Sequence, residues 1–403
     1  MNDRQFEKFY FDCASTTPLD PRVFKAMRPY FFNNFGNAAN LYKLGRDAKI
    51  AVENALGRIS LVLGCLPEEF VFTGSATESD NLAILGVARA NREFGNKIII
   101  SNVEHKGIIA ACKALKEEGF EICELKVDKN GLISSGDLKK NIDKKTILVS
   151  ITYADNETGT IQPIREIAEI IKKFRVRNNR VLPYFHTDAT QAASYLNLNV
   201  EKLGVDLMTL SAHKIYGPKG IGGLYIRKGT NIKAIIVGGG RELQSGTGNI
   251  PGIVGFGEAL FLADKYRNSE FRRIKELRDK LQNSIIKLVP KIVLNGHPEK
   301  RLPNFLNVSI LDVEGEAMLL HLDDKGISVG TGSACNSQSL KPSHIIAALG
   351  RPYEYIHGNL RFSLGKYTTD SSIKYVLKHL PEIVEKLRRI SPLNLKVDDE
   401  KNN

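Results

Sequence analysis

The sequence predicts an α/β protein: a mostly parallel β-sheet flanked by helices, joined to a smaller α+β domain. Three observations predict it. Short β-rich runs alternate with amphipathic stretches as far as Ile226, the pattern of strands linked by crossover helices. The texture then changes to a glycine-rich stretch followed by a long charged one. The chain has 403 residues, too many for one compact core.

Taken in order, residues 69–72, 97–100, 146–151, 182–186, 207–210 and 223–226 are candidate strands. Ile161, Ile164, Ile167, Ile170, Ile171 and Phe174 recur mostly at three- and four-residue spacing, which predicts a helix. Residues 237–257 are rich in glycine, and roughly 258–289 reads as a long helix linking two domains. Further strand candidates lie at 292–294 and 307–311. A helical region at 373–390 contains Pro381, which should kink or split it. These readings give a large domain over 16–257, a small domain built from 1–15 and 258–396, and a disordered tail over 397–403.

Hydrophobic content of 42% and charged content of 25% are ordinary for a soluble enzyme. No apolar run approaches the roughly 18 residues that span a bilayer. The first residues, Met1 to Lys8, are charged and lack the apolar core of a secretory signal, so a cytoplasmic location is expected. Five widely spaced cysteines form no CxxC pair and no disulfide framework, which points to neither a metal site nor a secreted scaffold. The net charge of +12 is spread over scattered lysines with no block of like charge. It reads as a solvated surface, with no stable nucleic-acid binding.

In an open parallel sheet, ligands bind beyond the carboxyl ends of the strands. Thr73-Gly74-Ser75-Ala76-Thr77 follows the first strand and opens a helix, either as a phosphate cradle or as an ordinary cap. His105 follows the second strand, as a ring that could stack on a flat heterocycle or as a polar loop residue. Asn156 follows the third, in a loop of turn formers, where its amide could bond a ring hydroxyl or a carboxylate. Asp188 ends the fourth, where an acid is costly unless paired; a protonated ring nitrogen would suit it, as would a helix-capping role. Lys214 follows the fifth, as an ion-pair member or a Schiff-base amine. Each signal is weak alone. Together they converge on one crevice whose inventory fits pyridoxal phosphate. Far along the chain, Gly330-Thr331-Gly332-Ser333-Ala334-Cys335-Asn336-Ser337 sets a thiol in a run of small residues. A buried packing cysteine sits among larger apolar residues, so this thiol is a candidate for sulfur chemistry.

These residues also carry a resemblance. Asp12-Cys13-Ala14-Ser15-Thr16-Thr17-Pro18, Ala76-Thr77-Glu78-Ser79-Asp80-Asn81, Glu104-His105-Lys106 and His186-Thr187-Asp188-Ala189-Thr190-Gln191 are part of it. Ser211-Ala212-His213-Lys214-Ile215-Tyr216-Gly217-Pro218-Lys219-Gly220, Gly332-Ser333-Ala334-Cys335 and Arg361-Phe362-Ser363-Leu364-Gly365 complete it. They resemble the NifS-type cysteine desulfurases, class V members of the fold type I pyridoxal phosphate enzymes. The likeness runs from about Phe11 to Pro392. The loop length after Cys335 is similar to the branch with a long catalytic loop.

The resemblance implies a role for each matching residue. Lys214 would hold the cofactor covalently and shuttle the proton on the substrate α-carbon. Asp188 would pair with the ring nitrogen, and His105 would stack on the ring and move protons. Gln191 and Asn156 would bond the ring hydroxyl. Ala76, Thr77, Ser211 and His213 would hold the phosphate. Thr247 would reach the phosphate of a partner subunit, which implies a homodimer. Arg361 would clamp the substrate carboxylate, with Asn156 nearby. The Cys335 thiolate would take sulfur from L-cysteine as a persulfide, leaving L-alanine, and deliver it to an iron–sulfur scaffold or a tRNA-thiolation protein. Five features depart from the family pattern: Gln244 stands for an arginine, Asp155 for an asparagine, Gly74-Ser75 reverses the common order, Ala38 stands where a proline is usual, and Tyr42-Lys43 occupies a segment that usually holds a histidine. Alternatives are a selenocysteine lyase, another class V aminotransferase, and a sulfur-relay protein of low activity.

Overall fold

Seven strands form the central sheet in a computed structural model that describes residues 9–238, 240, 241, 243–332 and 342–395. They are β1 (Phe70–Thr73), β2 (Lys97–Ser101), β3 (Glu121–Leu125), β4 (Thr146–Ser150), β5 (Tyr184–Asp188), β6 (Leu207–Ser211) and β7 (Gly222–Ile226). Their order is β1-β7-β6-β5-β4-β2-β3. Strands β2 to β6 run parallel, whereas β7 runs against both its neighbours, β6 and β1. The carboxyl ends of β1, β2, β4, β5 and β6 therefore share one edge.

The strands form where the residues demand cover on both faces. β2, β4, β5, β6 and β7 are buried along their whole length. Neighbouring residues divide between two cores, as a period of two requires. Ile99 and Val149 join the cluster that packs helices Lys43–Leu63 and Ile164–Arg177. Ile98, Ile100 and Leu148 join the opposite one, under helix Lys106–Glu117. The sequence reading missed β3. Its two glutamates stand exposed and only Leu125 is buried, so pairing to β2 rather than an apolar run makes it a strand.

A second, antiparallel sheet contains β8 (Ile292–Leu294), β9 (Phe305–Ile310) and β10 (Asn359–Ser363), with its own apolar cluster. The strand β10 was also missed, because it coincides with the motif around Arg361. Phe11 packs in this cluster, and bridges at Tyr10 and Asp12 tie the N-terminal segment to Ser328 and Ser363.

Helix Ile250–Leu288 joins the two cores. At 39 residues it spans roughly 60 Å. Its first turns bury Ile253, Phe256 and Leu260 on the large-sheet core, and its last turns bury Ile274, Leu281 and Ile285 on the other. It begins at Ile250, eight residues earlier than the glycine content predicts. The glycines serve close packing instead of ending the helix: a Cβ on Gly257 would lie 3.0 Å from Ala55 Cα, and one on Gly255 2.6 Å from Met27 Sδ.

Helix Asp370–Ile390 runs unbroken through Pro381, so the proline does not split it. A proline inside a helix costs about 3 kcal/mol or more. Ile373, Val376, Leu380, Ile383, Val384 and Leu387 are buried on this helix, and each contributes roughly 1.5–3 kcal/mol, which outweighs that cost. The predicted helix 161–174 forms at Ile164–Arg177, with Ile161 instead in a bridge to Ala154. Expectations placed on Cys335, on residues 1–8 and on the tail fall outside the described residues.

Phe256 is fully buried, with its ring centroid 6.0 Å from that of Phe70 and 6.3 Å from that of Phe72. Phe256→Ala should therefore lower unfolding free energy by roughly 3–5 kcal/mol in denaturant titration, since it opens a cavity where the long helix meets the sheet.

Candidate active site

The shared carboxyl edge gathers the residues picked out above. β6 ends at Ser211 and passes through one turn of 3-10 helix, Ala212–Lys214. Tyr216 then takes φ +64°, a left-handed turn that redirects the chain, and its backbone N–H donates to Thr17 Oγ1 at 2.8 Å. The Lys214 amine donates to the carbonyls of Ala14 and Ser15 at 2.5 and 2.7 Å. Gln191 Nε2 reaches the same Ala14 carbonyl at 3.1 Å. His213 Nδ1 lies 3.0 Å from Thr16 Oγ1, and burial, with Lys214 and Lys219 nearby, lowers its pKa to about 4. The N-terminal segment 12–17 thus lies over the edge and holds the lysine.

Asp188 closes β5. Its Oδ1 accepts from the Thr190 N–H at 2.8 Å, and it is 7% exposed. His105 caps helix Lys106–Glu117, accepting from Gly107 N–H at 3.1 Å through Nδ1. Desolvation pushes the His105 pKa down and Lys214 and Lys106 add to this, while the charge of Asp188 opposes it. The imidazole therefore feels both Asp188 and Lys214.

Beneath Asp188 lies a set of acids that the motifs contained without a role. Asp80 is fully buried, with the Thr209 hydroxyl the hydrogen-bonding group set against its carboxyl. Burial and then the charge of Asp188 raise its pKa well above the usual carboxylate range. His186 Nε2 stands 3.8 Å from Asp80 Oδ1, but burial lowers its pKa to about 3. Both shifts work against an ion pair at this contact. Glu104 Oε1 accepts from Ser101 Oγ at 2.5 Å and from Thr152 N–H at 2.9 Å, and burial raises its pKa to about 8. No local pattern marks an acid for burial, so these roles carry no signal in the sequence.

At the start of helix Ala76–Asn81, Ser75 Oγ accepts from Glu78 N–H at 3.1 Å. The amides of Ala76 and Thr77 are first-turn donors that no helical carbonyl reaches. Ser211 is buried at the end of β6. Thr247 is exposed and lines a cavity of about 270 Å³ with Gly74, Glu78 and Gln244.

Arg361, on β10, is 6% exposed and committed to protein partners. Nη1 donates to the Asn156 carbonyl at 2.7 Å; Nη2 donates to Asp12 Oδ1 at 2.7 Å and Ser15 Oγ at 3.0 Å. Nε has no partner among the described residues. A bidentate grip on a carboxylate requires one of these contacts to yield, since the free N–H groups do not share an edge of the guanidinium. The departure at Asp155 has a physical reason. This buried acid accepts from the N–H groups of Glu157, Thr158 and Thr160 at 2.9, 2.6 and 3.0 Å and from Thr158 Oγ1 at 2.5 Å. All four partners donate, so an acceptor-only side chain suits the position.

Residues 9–376 match the family described as aminotransferase class-V. The chain belongs to the aminotransferase class-V family. It is 46% identical over 385 residues to cysteine desulfurase IscS of Dictyoglomus turgidum, covering 95% of this chain and 96% of the relative. It is 47% identical over 389 residues to cysteine desulfurase IscS of Methanosarcina thermophila, covering 96% and 94%. A solved NifS-like protein shares the fold with a TM-score of 0.88 at 35% identity, covering 94% of this chain and all of that one.

Class-V enzymes of this kind use pyridoxal phosphate, and the residues at the edge fit that group. The donor set holds an amine, a carboxylate and an imidazole that sense one another, beside free amides at a helix start. The cradle is also shaped for close approach. A Cβ on Gly222 would lie 2.8 Å from Ala76 N and 2.6 Å from Ser75 C, so β7 runs directly under that helix start.

Two outcomes follow from the acids. Asp155→Asn places N–H donors against a ring of donors and should destabilise the fold by about 1–3 kcal/mol in thermal melts. Burial holds the Glu104 pKa at about 8 in the folded state, above the 4.5 usual for a glutamate. The folded state then keeps a proton that the unfolded chain releases, so stability falls as pH rises between those values. Glu104→Gln should remove that decline, so that the stability of the variant relative to the parent grows from pH 4.5 to about 8 and then levels.

Proposed function

We propose that the edge residues run L-cysteine desulfuration and that Cys335 receives the sulfur. The protein is a cysteine desulfurase that uses pyridoxal phosphate, in keeping with its relatives. The observation that carries the assignment of residues is the meeting of Lys214, Asp188 and His105 at one edge, where burial lowers the proton affinity of His105 and the charges of Asp188 and Lys214 act on it in opposite directions. When bound, pyridoxal phosphate supplies an aldehyde that takes amines covalently and a ring that accepts electrons from the substrate α-carbon.

Lys214 holds the cofactor and handles the α-proton, starting from an amine already aligned by the Ala14 and Ser15 carbonyls. Asp188 partners the ring nitrogen. Burial and the charge of Asp188 raise the pKa of Asp80 beneath it, which works against a second charge at that place. His105, kept largely unprotonated, accepts and returns a proton. Gln191 and Asn156 serve the ring hydroxyl. Ala76, Thr77, Ser211 and His213 hold the phosphate, with Thr247 from a second subunit. Arg361 takes the substrate carboxylate. The Cys335 thiolate takes the substrate sulfur as a persulfide, and the carbon skeleton leaves as L-alanine. Cys13, Cys65, Cys112 and Cys123 are unsuited to this task, because burial raises the pKa of every one of them.

The persulfide passes to a protein acceptor such as an iron–sulfur scaffold or a tRNA-thiolation protein. A homodimer is favoured by the exposed Phe24, Phe31, Phe32 and Phe35, an apolar group on the first helices and the loop after them. We place the protein in the cytoplasm, and no helix among the described residues is long and apolar enough to cross a membrane. The large domain corresponds to 16–257, and the small one to 1–15 with 258–396.

The test uses purified holoenzyme with L-cysteine. Cys335→Ala should abolish protein persulfide while the visible cofactor band persists, and full acceptor sulfuration in that variant sinks the assignment. His105→Gln should keep the band and slow alanine release by roughly 10²–10⁴-fold.

A further inference from the structure

Gly332 and Pro342 flank the segment that carries Cys335. Its two ends meet. A Cβ on Gly332 would lie 2.6 Å from Ser343 Cβ and 2.7 Å from Glu157 Oε2, so the bare backbone of one stem rests on the other stem and on a carboxylate. Ser343 Oγ donates to Glu157 Oε2 and accepts from Ile346 N–H at 3.1 Å, which caps helix His344–Ala348. Gly332 N–H donates to Asn359 Oδ1 at 3.1 Å. Asn359 Nδ2 donates to Asn307 Oδ1, and Asn307 Nδ2 donates to the Glu157 carbonyl at 3.1 Å. The path returns to Glu157 and closes a ring.

Every member is buried: Glu157 and Ser343 are each 5% exposed, Asn359 is 2% exposed and Asn307 is fully covered. A buried ring of this kind fixes geometry, because loss of one partner leaves the others unsatisfied. The ring adjoins the catalytic edge. Asn156, next to Glu157, gives its carbonyl to Arg361, and His344 Nε2 lies 3.0 Å from the Glu104 carbonyl, beside His105.

We propose that Glu157 is a positioning residue for sulfur transfer: its buried carboxyl holds the Ser343 end of the segment that carries Cys335, its backbone carbonyl holds the Gly332 end through Asn307 and Asn359, and together they set where that thiol meets the substrate. The inference rests on the reading of Cys335 as the sulfur acceptor. The clasp depends on pH. Burial raises Glu157 to about 7; the Ser343 bond, Arg361 from β10 and Lys106 from helix Lys106–Glu117 oppose this, while Asp155 in the same loop adds to it. The carboxylate accepts the Ser343 hydroxyl proton. A proton on the other carboxyl oxygen removes the charge from the acceptor, and the bond from Ser343 falls from a charge-assisted one to a weaker neutral one. The clasp is made above about pH 7 and weakens below it.

The experiment follows first-turnover formation of the Cys335 persulfide in holoenzyme by rapid quench, alkylation and mass spectrometry, on either side of about pH 7. The absorbance change on adding L-cysteine is recorded in parallel. Glu157→Ala should slow the persulfide step roughly tenfold to a hundredfold while the absorbance change persists. Glu157→Gln keeps an acceptor oxygen but cannot titrate, so the ratio of parent rate to variant rate should rise severalfold across about pH 7. Ser343→Ala removes the donor from the other side and should slow the same step, with the double variant no slower than Glu157→Ala. Wild-type persulfide rates in both alanine variants overturn the clasp, and so does a flat rate ratio. Absence of any Cys335 persulfide in the parent enzyme overturns the underlying assignment first and is recognised by that control.

Discussion

The charge of Asp188, at the end of a strand buried along its length, is the constraint around which the site is organised. An isolated carboxylate there is costly, so its surroundings must either neutralise it or offer it a cation. The protein does not spend a second charge beneath it. Asp80 and Glu104 lie below, and burial together with the charge of Asp188 raises the pKa of both. His186 stays neutral as well. The layer under Asp188 is thus a polar but uncharged floor, and the complement to Asp188 has to come from the cleft side. Lys214 lies on that side, and a protonated ring nitrogen there would supply such a complement.

A second dependence runs through the N-terminal segment. Phe11 is rooted in the core of the smaller sheet, while Ala14 and Ser15 give their carbonyls to Lys214 and Asp12 and Ser15 hold Arg361. Six residues therefore connect the strand bearing Arg361 to the turn bearing Lys214. The long helix fixes the two cores on one rod, and this segment sets the fine spacing between them. A displacement of Phe11 would move the amine and the guanidinium together.

Much of this was legible in the sequence. β2, β4 and β6 are short, mostly apolar runs, as a strand covered on both faces favours. The residues after each run could be named because parallel strands share an edge. What was not legible has physical causes. β3 carries two exposed glutamates and is a strand through its partner alone. The first turns of the long helix lie outside the helix predicted from about 258, because glycine weakens a helix locally while allowing the helix–helix approach that stabilises it globally. Asp80, Glu104 and Glu157 looked like ordinary polar members of motifs. Their burial comes from strands distant in sequence, which no window of neighbouring residues encodes.

The departures from the family pattern separate along the same line. Asp155 answers a requirement internal to its loop, where four donors converge on it, and it does so under the ring that joins Glu157, Asn307, Asn359 and Gly332. An extra formal charge there is tolerable because every lone-pair direction is occupied and Glu157 beside it is raised toward neutrality by burial. Gln244 and Gly74 instead line an open cavity at the helix that starts after β1, and Tyr42 stands 58% exposed. Substitutions of the first kind are constrained from within and leave the chemistry of the edge in place. Those of the second kind change a surface that partners and substrates meet, so any difference in what this chain serves is written at its rim and not at Lys214, Asp188 or His105.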